Sequence, residues 1–276
     1  MIEKTKQPLN VRIKRAFRKD WQLFLMCLLP VIYFIVFHYL PMYGVQIAFK
    51  DFQASKGIWG SSWVGVKYFK RFFESYQFWP LIKNTLSLSL LQILIGFPIP
   101  ILLAILLNQM KNQKFRQFVQ TVTYCPHFIS IVVLTGMLYI FLSPRTGLIN
   151  NLITSLGGDA KFFLGQPEWF RPIFVLSGVW QNAGWSAIIY IAALAGISPD
   201  LYEAAKMDGA NRWQIIRHID IPGIMPTVTM LLIMEMGKVM NIGFQKAYLM
   251  QNGLNIAASE IIPTYIYKIG LIDAQY

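Results

Sequence analysis

Long apolar runs separated by short charged segments dominate the pattern of this chain. A helix needs about 20 mainly apolar residues to cross the hydrocarbon core of a membrane. Five runs reach that length, and the fifth includes one acidic and one basic residue. They cover residues 21–49, 84–110, 117–144, 172–199 and 221–245. Because they are too long and unbroken for the alternating strands of a barrel, we predict an all-α, polytopic membrane protein with five spans.

The composition supports this class. Of the 276 residues, 55% are hydrophobic and only 14% are charged, too few to cover a soluble core. The net charge of +12 does not indicate nucleic acid, because basic residues crowd the start of the chain. These are Lys4, Lys6, Arg12, Lys14, Arg15, Arg18 and Lys19. We therefore predict a cytoplasmic basic tail (1–20), beside membrane lipids, before a transmembrane domain (21–276). A cleaved signal peptide is the alternative, but no clear small-x-small cleavage site follows.

Basic residues also orient the spans. Lys111, Lys114 and Arg116 occupy the short turn after the second run, which we predict to be cytoplasmic. The charged segment 198–223 then faces the cytoplasm as well. In the first external loop, apolar or aromatic residues recur with helical spacing between charges. These positions are 68, 69, 72, 73, 76 and 79. An interfacial helix and a docking surface for an external partner are both compatible with this pattern.

Segment 198–223 has the signals of two short helices. Ser198 and Pro199 form a helix start, and Gly209 is suited to a left-handed stop. Asn211 is placed to cap a second helix, on which we predict Trp213, Ile216 and Ile219 to share one face, with Arg212 and Arg217 off it. Pro222 is predicted to end that helix and to allow entry into the fifth span.

This segment has two interpretations. It is either an ordinary polar loop or a rigid lever that docks into a separate soluble subunit. The adjacent Ala204 and Ala205 would allow another backbone to approach closely, and Glu203 would offer a charge.

Polar residues inside the spans are candidates for a substrate path, because they are costly in a membrane. Glu235 and Lys238 are three residues apart, so they can share a helix face, and Asn241 is predicted to continue it. The full candidate set is His127, Gln181, Asn182, Trp185, Glu235, Lys238 and Asn241. Amides, charges and aromatic rings of this kind bind sugar hydroxyls and ring faces. The alternative role is polar contact between helices or at a subunit interface.

No catalytic or metal-binding constellation is found. The three histidines lie on different segments, the two cysteines lie apart in apolar runs, and no phosphate-binding G-x-x-x-x-G-K-[ST] loop occurs. We therefore expect a transport protein and not an enzyme, with no cofactor in this chain. A secondary transporter is the main alternative, although no internal repeat is evident.

Residues 203–222 resemble the EAA motif of binding-protein-dependent ABC importer permeases. The matching positions are Glu203, Ala204, Ala205, Gly209, Ile219 and Pro222. Ile221 stands where the family usually has Leu. Residues 17–276 also resemble the sugar-importer permeases, especially those for complex oligosaccharides and aldouronates. The shared stretches are GIWGSSWVGVKYFKRFF, NTLSLSLLQILIGFPIPILLAILLNQ, YCPHFISIVVLTGM and YEAAKMDGANRWQIIRHIDIP.

The resemblance implies a type I ABC importer transmembrane domain with six spans. The final span of that set is missing from the five spans predicted in this sequence. It implies that 198–223 forms coupling helices docked in an ATPase subunit, and that ATP and Mg²⁺ are bound by that partner. It also implies a second permease as a heterodimer partner, two ABC ATPases and an extracytoplasmic solute-binding protein. The expected function is oligosaccharide import across the cell membrane, with a cytoplasmic N-terminus.

Overall fold

The computed structural model describes residues 19–274, so most of the predicted basic tail (1–20) lies outside the described residues. The chain divides into two compact units, Met1–Ser75 and Tyr76–Tyr276. The first unit begins with one long helix, α1 (Trp21–Phe49), whose bounds match the predicted first span. Its side chains are almost all exposed. An apolar helix with exposed side chains on all sides is typical of a membrane span.

After α1 the first unit forms a small aromatic subdomain. Strand β1 (Lys50–Asp51) pairs antiparallel with β2 (Ser62–Trp63), and helices α2 (Gly57–Gly60) and α3 (Lys67–Phe73) lie beside them in sequence. Phe49 stacks on Trp63, with ring centroids 5.8 Å apart. The predicted helix over positions 68–79 was too long. It ends at Phe73, and Tyr76 and Trp79 lie beyond it.

The second unit contains the remaining helices. They are α4 (Phe78–Asn108), α5 (Gln113–Phe128), α6 (Ile131–Phe141), α7 (Leu148–Ser155), α8 (Pro167–Ala195), α9 (Pro199–Met207), α10 (Arg212–Met236), α11 (Phe244–Met250), α12 (Ile256–Ser259) and α13 (Ile262–Ile266). A π-helical turn, Tyr267–Ile272, follows α13. Helix α4 includes a π-helical turn of its own at Gln92–Gly96.

Helix α8 is the centre of this unit and carries two apolar clusters. Its first half packs Phe170, Phe174 and Val175 against Leu88 of α4 and Met250 of α11. Its second half contributes a further cluster. That cluster contains Ala187, Tyr190 and Leu194 of α8, Ala104 and Ile105 of α4, and Ile224 of α10. Helix α8 therefore holds α4, α10 and α11 in place and leaves the stretch between its two clusters for a site.

The predicted third span is broken. Helices α5 and α6 meet at a bend of 99°. Ile129 is extended at the break, and Ser130 begins α6 by accepting a hydrogen bond from the Val133 N–H at 3.3 Å. The buried Gln181 amide of α8 donates to the Ile129 carbonyl at 2.7 Å. This bond satisfies a carbonyl that the break releases from helical pairing, which is required where water is scarce.

The second half of segment 198–223 also differs from the prediction. Pro222 does not end a helix, because α10 continues from Arg212 to Met236 through a π-helical turn at Ile216–Asp220. Pro222 lies at the start of the α-helical part that follows this turn, where the missing N–H is tolerated. Helix α10 ends at Met236, so Asn241 does not continue the face of Glu235 as predicted.

Three helices of residues 19–274 are long and apolar enough to cross a membrane: α1, α4 and α10. Two bent pairs, α5 with α6 and α8 with α9, raise the number to as many as five. The bend between α8 and α9 is 71°, at the predicted start of the coupling segment. The predicted all-α class and multi-span architecture agree with this arrangement.

Candidate functional site

A cavity of about 650 Å³ lies in the second unit, beside the middle of α8. Its polar and aromatic lining comes from α4, α5, α8 and α10. These residues are Gln92, Phe97, His127, Asn182, Trp185, Ser186, Tyr190 and Glu235. Ligand sites are typically concave and mainly apolar, with a few polar groups and volumes of roughly 300–1,000 Å³. The cavity has the size and the mixed lining of such a site.

A ring and amide cluster forms one wall of the cavity. The His127 ring stacks on Trp185, with centroids 4.5 Å apart and an interplanar angle of 5°. His127 Nδ1 also lies 3.1 Å from Asn182 Oδ1, and the Asn182 amide donates to the Gly178 carbonyl at 3.0 Å. Trp185 is 44% exposed, so its indole ring is accessible although it is stacked on His127. Such a surface suits the apolar face of a sugar ring.

The structure brings together four of the seven residues predicted for the substrate path. His127, Asn182, Trp185 and Glu235 line the cavity. Gln181 does not, because its amide is engaged at the break between α5 and α6.

The other two predicted residues, Lys238 and Asn241, lie beyond the end of α10 and do not line the cavity either. The predicted pairing of Lys238 with Glu235 is present, with Nζ 3.0 Å from Oε1 and both side chains largely exposed.

Lys246 was not predicted as a functional residue, and it is buried in α11 with 6% exposure. Its ammonium donates to the Phe174 carbonyl at 2.7 Å and lies 4.8 Å from the centre of the Phe174 ring. Helix α11 is not among the candidate spans. Burial lowers the pKa of Lys246 to about 7, because desolvation disfavours the charged form. The only sequence signal was a lysine in the otherwise uncharged run 239–259.

The coupling segment, residues 198–223, has the local structure that its sequence predicts at both helix starts. The Ser198 hydroxyl accepts a hydrogen bond from the Asp200 N–H at 3.3 Å. Asn211 and Gln214 form a reciprocal capping box at the start of α10, with bonds of 3.0 and 2.7 Å. Between them, Gly209 has φ of +77°, and the Ala210 N–H closes helix α9 on the Ala205 carbonyl at 2.9 Å. The turn between α9 and α10 is therefore well defined.

A buried carboxylate joins the coupling segment to α4. Asp220 is 0% exposed and accepts hydrogen bonds from three neutral side chains. The donors are the Tyr202 hydroxyl at 2.7 Å, the Gln109 amide at 2.7 Å and the Asn108 amide at 3.3 Å. The pKa of Tyr202 is raised to about 12, mainly by burial and also by the hydrogen bond to Asp220. The hydroxyl therefore remains a donor. We call these three hydrogen bonds to Asp220 the Asp220 joint, and no sequence signal predicted it.

The predicted EAA positions are mostly accessible. Glu203, Ala204, Gly209 and Pro222 are exposed, and Ala205 and Ile219 are partly buried. Trp213, on the predicted apolar face, is 79% exposed, whereas Ile215 is buried at 7%. Met207 at the end of α9 is 90% exposed. Two large apolar side chains are therefore presented beside the EAA positions.

Sequence comparison places this chain among transport proteins. Residues 96–271 match the family model described as "Binding-protein-dependent transport system inner membrane component". The polygalacturonan/rhamnogalacturonan transport system permease protein YteP of Bacillus subtilis is 47% identical over 92% of this chain and 79% of the relative. Protein LplB of the same organism is 42% identical over 95% of this chain and 82% of the relative.

The fold is similar to that of a solved transporter subunit. A chain in the crystal structure of a bacterial ABC transporter involved in the import of the acidic polysaccharide alginate has a TM-score of 0.89 and 44% identity. The match covers 96% of this chain and 89% of that one. A second structure, of a bacterial alginate ABC transporter in complex with an alginate pentasaccharide-bound periplasmic protein, matches with a TM-score of 0.88 and 43% identity.

Proposed function

Because this chain belongs to the family of binding-protein-dependent transport system inner membrane components, we propose that it imports acidic oligosaccharides as the permease subunit of an ATP-driven ABC importer. The relatives above 40% identity include a polygalacturonan/rhamnogalacturonan permease and a subunit of an alginate importer. Both of these substrates are polymers that contain uronic acids. The family excludes the alternative of a secondary transporter.

The observation that carries the cargo proposal is the cavity beside α8. Stacked rings at His127 and Trp185 offer a flat face for a sugar ring. Asn182 and Gln92 add amide groups for hydroxyls, and Glu235 adds a carboxylate acceptor. A volume of about 650 Å³ suits a short oligosaccharide segment. These five residues form the proposed sugar-contacting set.

The coupling segment is proposed to dock into the ATPase subunit. Its exposed Glu203, Ala204 and Gly209 lie beside the apolar side chains of Met207 and Trp213. Exposed apolar groups rimmed by charges are typical of protein interfaces. Of the other predicted EAA positions, Ala205 and Ile219 are partly buried and Pro222 is exposed. Movement of the ATPase would then reach the spans through the Asp220 joint and the continuous helix α10.

The remaining subunits follow from the family. We propose a heterodimer with a second permease, two ATPase subunits that bind ATP and Mg²⁺, and an extracytoplasmic solute-binding protein that delivers cargo. The N-terminus and the coupling segment would face the cytoplasm, as the basic tail favours. This chain itself would carry no catalytic group and no cofactor. Its task is to open and close the cavity alternately to the two sides of the membrane.

Transport tests the cargo proposal. The complete complex in proteoliposomes should accumulate a radiolabelled oligomer of galacturonic acid only when ATP and the solute-binding protein are supplied. Trp185→Ala should lower uptake about tenfold, and Trp59→Ala, at an exposed ring in the first unit, should have little effect. Uptake without ATP, or equal effects of both variants, would contradict the proposal.

Co-purification tests the coupling proposal. Glu203→Lys changes only an exposed side chain, so it should leave the permease folded and inserted. We expect the tagged variant to lose the ATPase subunits that the unaltered chain retains in mild detergent. Asp159→Lys, at an exposed loop position away from the segment, is the matched charge reversal and should retain them. Equal recovery of ATPase with both variants would exclude docking through Glu203.

A further inference from the structure

Two lysines near the cavity differ in how their charge is balanced. Lys238 forms an ion pair with Glu235 and has a side chain that is 61% exposed. Lys246 is 6% exposed, and no ion pair to it is found within residues 19–274. Of these two lysines, Lys246 is therefore the one whose charge is not already paired with a carboxylate, because Lys238 is paired with Glu235 and is exposed to solvent.

The ammonium of Lys246 has hydrogen-bonding capacity to spare. A lysine ammonium has three N–H donors. Lys246 uses one on the Phe174 carbonyl, which lies inside α8 and already has a helical partner there. The Phe174 ring provides a further favourable contact with the cation. Neither partner carries a full negative charge, and burial lowers the pKa of Lys246 to about 7, so near neutral pH only part of the population carries the charge. A carboxylate that approaches the ammonium favours its charged form.

The ammonium also lies immediately behind the cavity wall. A Cβ atom built on Gly178 would be 3.2 Å from Lys246 Nζ and 3.5 Å from Gln92 Oε1. Gly178 and Gln92 both line the cavity. The absence of a side chain at Gly178 therefore lets the ammonium and the Gln92 amide approach the same short stretch of wall. A Cβ at Gly178 would require the ammonium to shift by a few tenths of an ångström, whereas its 3.5 Å distance to Gln92 Oε1 is an ordinary van der Waals contact.

We propose that Lys246 determines the preference of this cavity for acidic sugars, by attracting the carboxylates of the oligosaccharide as it passes Gly178 and Gln92. This inference rests on the proposed sugar-import function and names a specificity residue for it. A buried cation without an ion-pair partner is destabilising by itself. Its placement behind a cavity wall gives the charge a function that an apolar side chain would not provide.

The test compares two cargoes of equal length in the reconstituted complete importer. One is a fully ionised oligomer of galacturonic acid, and the other is the same oligomer with part of its carboxylates methyl-esterified. The same solute-binding protein is used throughout, so a change in preference between permease variants arises in the permease. Lys246→Met should lower uptake of the ionised oligomer about tenfold and that of the esterified oligomer less than twofold. Lys246→Arg should preserve the preference.

The control is Lys161→Met, which removes an exposed loop lysine and should leave both uptake rates unchanged. If Lys246→Met lowers both cargoes by the same factor, or neither, Lys246 does not set the preference and this inference is overturned, while the importer function stands. If the unaltered importer takes up neither oligomer in an ATP-dependent manner, the proposed function fails, and the inference fails with it.

Discussion

Two buried charged residues in the second unit, Asp220 and Lys246, have opposite environments. Asp220 is completely buried and accepts three hydrogen bonds, one from Tyr202 and two from the end of α4. Lys246 is almost as buried, but it has one carbonyl partner and one aromatic ring. Neither residue forms an ion pair within the described part of the chain. The two sites therefore differ in hydrogen bonding and not in burial.

This difference separates a structural joint from a functional charge. A buried charge becomes tolerable when its hydrogen-bonding capacity is used, because the bonds replace its lost hydration. The Asp220 carboxylate has such partners, and they connect α10 to α9 and to the end of α4. The Lys246 ammonium retains free donors behind a cavity wall. Removing the first charge should therefore damage the fold, and removing the second should change what the cavity prefers.

The largest effect on stability is expected from Asp220→Ala. The change leaves the donors of Tyr202, Gln109 and Asn108 without their acceptor, and buried unsatisfied groups cost about 1–3 kcal/mol each where they cannot relax. We expect a loss of about 3 kcal/mol in total. The thermal midpoint of the purified complex in detergent measures it. Asp159→Ala, at an exposed aspartate, should leave the midpoint unchanged. A similar midpoint for both variants would show that Asp220 is not a joint.

A smaller loss is expected from Tyr202→Phe, which removes one of the three donors and leaves the carboxylate with two. A hydrogen bond to a charged group contributes about 1.5–3 kcal/mol, and the partial exposure of Tyr202 places this one at the lower end. The double variant Tyr202→Phe with Asp220→Ala should be no less stable than Asp220→Ala alone, because the removed hydroxyl no longer lacks an acceptor. Additive losses would mean that Tyr202 acts independently of Asp220.

Lys246→Met should hardly lower the thermal midpoint. Methionine is the mildest change for this test, because it keeps most of the length of the side chain and removes its charge. Replacing an under-compensated buried charge by an apolar side chain of similar volume is often neutral or stabilising. The contrast with Asp220→Ala is the decisive measurement. A loss as large as that of Asp220→Ala would assign Lys246 a structural role and remove the distinction between the two sites.

The smallest effect is expected from Gly178→Ala. The added Cβ would lie 3.2 Å from the Lys246 ammonium, so the flexible end of that side chain must shift by a few tenths of an ångström. We expect uptake of the ionised galacturonic acid oligomer to fall about twofold with little change in the midpoint. Gly136→Ala is the matched control, because its Cβ would meet no atom within 4 Å. In the Lys246→Met background, Gly178→Ala should have no further effect.

Local signals explain which parts of the coupling segment were predictable. The Ser198 cap, the Gly209 stop and the Asn211 cap depend on neighbours within a few residues, and all three are present. The role predicted for Pro222 was wrong. Whether the helix stops or continues there was decided by the packing of α10, which continues through a π-helical turn.

The candidate site shows the same limit. His127, Asn182, Trp185 and Glu235 were identified because polar and aromatic groups stand out inside apolar runs. Gln181 stood out equally but serves the break between α5 and α6, since the extended Ile129 needed a donor there. Lys246 and Gly178 were missed, because nothing in their own segments indicates that α11 returns against α8. The Ser130 cap was the one local signal of the break that was overlooked.

The sequence by itself determined the class of this protein, its apolar spans, the capped turn of the coupling segment and the family to which it belongs. These properties depend on hydrophobic length and on bonds between close neighbours, so a linear pattern contains them. Only the tertiary structure decided which polar groups face a cavity, which ones repair a broken helix, and which buried charge remains under-compensated. These outcomes depend on contacts between residues that are far apart in sequence, such as Lys246 with Phe174 and Asp220 with Gln109.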